Sequence, residues 1–170
     1  MRLVLALVAF AACDATGAPA PTATLEIGSG ADGYVALVDG GTIAAYMGPQ
    51  GGFHVYLQLR ASGIDPGSPT EAPSACSFGG DFHNPCVDFT VTDVVTGRVL
   101  DVFSPLRLAF TDDHGYFLSE RRLVQLDIRS LDEVDGKRLR LAATLTDRNG
   151  LTVTASSADT AVAQRPDAGL

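Results

Sequence analysis

Three histidines, His54, His83 and His114, are the side chains of this sequence best suited to hold a transition metal. Imidazole suits copper and zinc, and three imidazoles are enough for a site, so a copper or zinc centre built from His54, His83 and His114 is one reading of the chain. It requires that residues far apart in sequence converge in space. The competing reading is three separate histidines on the surface or in local hydrogen bonds. Asp112-Asp113, and Asp132-Glu133 with Asp135, lack the spaced oxygen ligands of a calcium loop and read as solvated turn acids.

Catalytic strings are missing from the sequence: it has no nucleophile elbow, no phosphate-cradling glycine loop and no metalloprotease helix motif. Paired glycosidase carboxylates are defined by their separation in space, which sequence spacing does not give. A hydrolase of envelope polysaccharide or peptide therefore stays an alternative reading. No catalytic residue is assigned and no cofactor is expected, copper or zinc being the alternative.

The most unusual local string is Gly48-Pro49-Gln50-Gly51-Gly52-Phe53-His54-Val55. Gly51-Gly52 open backbone conformations closed to other residues and admit a close neighbour, either a strand or a ligand. His54 starts on the wet face of the following strand if Phe53 faces the core. The plainer reading is a tight turn whose His and Gln satisfy nearby backbone groups. The string resembles a GPQGG-x-HV string of uncharacterised exported lipoproteins from myxobacteria and related Gram-negative bacteria, in which the following strand carries an arginine, here matched by Arg60. The resemblance implies no known activity.

At the N-terminus, Met1-Arg2 supplies one positive charge and Leu3 to Ala12 is an apolar run ending in small residues. This is the layout of an export signal, too short for the ~20 residues that cross a bilayer. The junction Phe10-Ala11-Ala12-Cys13 resembles the lipobox of bacterial lipoproteins, with Phe10 where that family usually carries an aliphatic residue. The resemblance implies that Cys13 is acylated and becomes the new N-terminus. An ordinary secretory leader cleaved nearby is the alternative, and both readings export the protein.

The chain has three cysteines, an odd number, and outside the cytoplasm a leftover thiol needs an explanation. With lipid on Cys13, Cys76 and Cys86 remain to close a short disulfide loop, worth about 2–3 kcal/mol in the chain-entropy account. Metal-ligating thiols would need the CxxC spacing that this chain lacks. The formal charge is −8, and loss of Arg2 with the leader takes it to −9. With a pI near 4.6, nucleic acid is excluded as a partner.

These residues must be positioned by strands. From Thr24 onward apolar and polar residues alternate in short runs separated by Gly, Pro, Asn and Asp, and no stretch keeps a helical period. The clearest runs are 53–60, 87–92, 124–129, 138–145 and 151–155, with weaker ones at 25–27, 34–38, 43–46, 98–103 and 106–110. Asn149-Gly150 predicts a two-residue type I′ hairpin turn. Two stretches read as connections, 63–80 and 111–119, the latter carrying His114. Each run hides one side and wets the other, which predicts an all-β, antiparallel two-sheet sandwich of immunoglobulin-like type with about eight to ten strands.

The expected organisation is a lipoprotein signal peptide at 1–12, a flexible tether at 13–23, a β-sandwich at 24–157 and a disordered tail at 158–170. At 46% hydrophobic residues the chain suits one domain burying roughly 65–70% of its unfolded surface. The functional expectation is a non-catalytic module of the cell envelope, lipid-anchored to a membrane facing the periplasm or exterior and contacting an envelope protein or ligand through its loops.

Overall fold

The computed structural model describes residues 22–29, 33–71, 74–76, 83–102, 105–157 and 160–162. The expected leader, Cys13 and the expected tether up to residue 21 lie outside the described residues. In chain order the strands are β1 (Thr24–Ser29), β2 (Val35–Ala36), β3 (Thr42–Ile43), β4 (Ala45–Met47), β5 (Phe53–Ser62), β6 (Ser74–Ala75) and β7 (Cys86–Asp93). They continue with β8 (Leu106–Arg107), β9 (Phe110–Asp113), β10 (Tyr116–Ser119), β11 (Arg122–Leu126), β12 (Arg138–Thr146), β13 (Thr152–Ser156) and β14 (Thr160–Val162). A single 3-10 turn, Leu131–Glu133, is the only helical element among the described residues.

Two seven-stranded sheets pack face to face as a β-sandwich. One runs β2-β1-β5-β10-β9 with β4 and β11 also on β5, and the other runs β3-β14-β12-β7-β8-β6 with β13 on β12. Every pairing is antiparallel except the short β3–β14 contact. Alternation produces the core directly: Val55, Leu57, Leu59 and Ala61 of β5 and Leu139, Leu141, Ala143 and Leu145 of β12 are buried on the facing sides. Each fully buried leucine contributes about 1.5–3 kcal/mol.

The ten-residue β5 organises the first sheet. Along one edge β1 pairs with residues 58–62 and β4 with residues 53–55; along the other, β10 pairs with residues 60–61 and β11 with residues 53–57. The β10 and β11 registers differ by one residue, so the chain bulges between them. Ser119 closes that gap: its Oγ accepts from the Leu59 amide at 2.9 Å, and its carbonyl accepts from Gln58 Nε2 at 2.8 Å. The Cys76–Cys86 disulfide, with Cα atoms 5.8 Å apart, pins the long connection after β5 to the start of β7.

Several sequence expectations change. The stretch 111–119 is not a loop but the β9–β10 hairpin, turned by His114 and Gly115, both with positive φ, while Asp113 pairs with Tyr116. That is a two-residue I′-type turn, and histidine is among the few non-glycine residues that tolerate it. At Asn149-Gly150 only Gly150 has positive φ; the Gly150 amide bonds the Asp147 carbonyl and the Asp147 amide bonds that of Leu151, a three-residue turn with a glycine bulge. Of the run expected at 98–103, residues 98–102 supply isolated bridges rather than a named strand, and residue 103 lies outside the described residues. Within the stretch expected to be a disordered tail, Thr160–Val162 form β14, which pairs with β12 at Leu139 and Arg138, and residues 158–159 and 163–170 lie outside the described residues.

Candidate functional site

The string 48–52 builds the β4–β5 hairpin with the same bond pattern as the Asp147–Leu151 turn. Gly48 N donates to the Gly52 carbonyl at 2.7 Å, and Gly51 N to the Gly48 carbonyl at 2.9 Å. Pro49 suits the first central position because its φ is already fixed, and Gly51 takes a φ of 83°, which a side chain resists. Of the two adjacent glycines, then, only Gly51 is demanded by the backbone. A Cβ on Gly48 or Gly52 would make ordinary contacts, at 3.5 Å from the His54 ring and 3.6 Å from Gln125 Nε2. Their missing side chains leave the His54 edge and the Gln125 amide open.

His54 lies on the outward side of β5, the phase expected from an inward Phe53, yet it is 5% exposed rather than wet. Tyr46, its register partner on β4, stacks on it at 5.9 Å between centroids, and Tyr56 meets it edge-on at 4.9 Å. The Arg121 guanidinium caps Tyr56 at 4.6 Å. His54 Nε2 is buried with no hydrogen-bond partner, and burial pushes the imidazole pKa below its ordinary value of 6.5. The ring is therefore neutral at neutral pH.

Beside it opens a groove of about 400 Å³ lined by His54 and four residues of the string, Gly48, Pro49, Gln50 and Gly52. Phe53, Leu123 and Gln125 complete it. Sequence reasoning singled out the string but missed Leu123 and Gln125, which arrive from β11 because Leu123 pairs with Tyr56 and Gln125 with His54. Nothing in the local sequence around residue 125 signals that pairing. No lining residue is charged at neutral pH, and the volume falls within the ~300–1,000 Å³ usual for small-molecule sites.

Arg60, the arginine matched to the string, lies on the same face about 20 Å along the strand from His54. It pairs with Glu26 at 2.7 Å and is held between the rings of Tyr34 at 5.2 Å and Tyr116 at 4.6 Å. The Tyr34 ring covers Gly28, where a Cβ would overlap it. All four tyrosines of the chain thus stand on this one outer face, each against a cation or the imidazole.

The three histidines do not form a metal centre: among the described residues no three His, Cys, Asp or Glu side chains gather to hold an ion. His114 sits at the β9–β10 turn, next to the Ser62 end of β5, whereas His54 is at the other end. His83 is exposed just before β7 in the opposite sheet, its Nδ1 3.4 Å from Arg148 Nη1. Cys13 lies outside the described residues. Comparison with known proteins finds no matching family model, no matching curated protein and no matching solved structure.

Proposed function

We propose that the chain is an exported, lipid-anchored module of the bacterial cell envelope that works by binding, with its groove held at the pole away from the anchor. The observation that carries this reading is the polarity of β5. Thr24, where the tether joins the sandwich, pairs with Ser62, while the groove surrounds Phe53 and His54 at the other end. Ten residues of strand separate the two by about 30 Å. A lipid on Cys13 would place the Ser62 pole toward the membrane and the groove toward the periplasm or exterior.

Two further features agree. The Cys76–Cys86 disulfide suits an oxidising compartment and leaves Cys13 as the odd thiol that acylation would consume. The groove lining holds an imidazole and amides but no carboxylate, so the paired carboxylates of glycoside hydrolysis are not among its residues. A photo-crosslinking residue placed at Gln50, compared with one at Ser62, tests the reading in intact cells. Envelope adducts from position 50 and none from 62 are expected; equal adducts from both, or none from 50, would refute it.

A further inference from the structure

We infer that the groove beside His54 binds an uncharged saccharide; the inference rests on the binding reading above and names its ligand class. Three properties of the lining lead there. Its polar side chains are the carboxamides of Gln50 and Gln125 and the imidazole of His54, all uncharged at neutral pH. Each carboxamide offers donors beside an acceptor, the pattern that two adjacent sugar hydroxyls complement. Between them Pro49, Phe53 and Leu123, the last 40% exposed, give apolar walls for the C–H faces of a pyranose ring.

Other ligand classes match less well. An anion would meet no cation in the lining and a chain of net charge −8. A metal ion lacks a ligand set among the described residues. A purely apolar ligand would strand both amides. An extended peptide needs free backbone edges, but the floor here is a sheet face whose strands are already paired, Tyr46 to His54 to Gln125. A second concavity, of about 410 Å³, is lined by Arg98 and its own ion-pair partners Asp127 and Glu133.

The test is titration of the full chain with cellohexaose, maltohexaose and chitohexaose, with hexaalanine and hexagalacturonate as comparisons, followed by amide NMR shifts. At least one neutral glycan is expected to bind more tightly than about 1 mM, shifting residues 48–54 and 123–125. Gln125→Ala on β11 and Gln50→Ala in the β4–β5 turn, both at exposed positions, should each weaken it about tenfold with an unchanged circular dichroism spectrum. Binding of none of the three glycans overturns the inference. Hexaalanine binding at the same residues overturns it while leaving the binding module intact; absence of crosslinks from position 50 removes the binding reading itself.

Discussion

Tyr46 stands directly across from His54 in the β4–β5 ladder, the two rings 5.9 Å apart and within 19° of parallel. With Tyr56 against its edge, His54 is only 5% exposed on a face that strand alternation alone would leave wet. The consequence is a measurable pH dependence. Burial lowers the folded-state pKa below 6.5, so the unfolded chain takes up the proton first. Stability is therefore full above about pH 6.5 and falls as pH drops through the window between 6.5 and the folded value. His54→Gln should flatten that limb in urea titrations. The carboxylates held low by hydrogen bonds, Asp65 and Asp93, lose their contribution only below their ordinary value of 3.8, so the two windows separate.

Gly51 and its neighbour Gly52 differ in what they tolerate. Gly51→Ala forces a side chain into positive φ and should cost about 1 kcal/mol or more in denaturant unfolding. Gly52→Ala should be close to neutral, because its Cβ meets Gln125 at an ordinary contact distance. Equal losses for both would show that the turn is built differently.

His114 serves the β9–β10 turn, with a φ of 53°. His114→Asn should hold or raise the melting temperature, and His114→Val should lose about 1–2 kcal/mol, the cost of a left-handed β-branched residue. Copper or zinc should leave the melting temperature of either variant where it was.

Ser119 is a structural hydroxyl. Ser119→Ala leaves the buried Leu59 amide without an acceptor and should cost about 1–3 kcal/mol. Faster amide exchange at Leu59 alone would identify the cause.

Long alternating runs made β5, β7 and β12 legible, because each strand is buried on one side over eight or more residues. The β9–β10 hairpin was missed because Thr111, Asp112 and Asp113 do not alternate with apolar residues, and its turn is His-Gly rather than Asn-Gly. Residues 98–102 form no continuous strand for a specific reason: the Asp101 carboxylate takes the Val91 amide at 2.7 Å in place of a continuing backbone ladder. β14 depends on a pairing with β12 that no local pattern announces. At the groove, the string 48–54 was visible as a string. Its completion by Gln125 was not, since that needs the register of β11 on β5.

Incorporation of a palmitate analogue followed by membrane fractionation tests the proposed lipid tether at the Thr24 pole directly. The wild-type chain should carry the label and sediment with membranes, while Cys13→Ser should lose the label and become soluble with its Cys76–Cys86 disulfide intact. An unlabelled wild-type chain, or a Cys13→Ser variant that stays on the membrane, would contradict it.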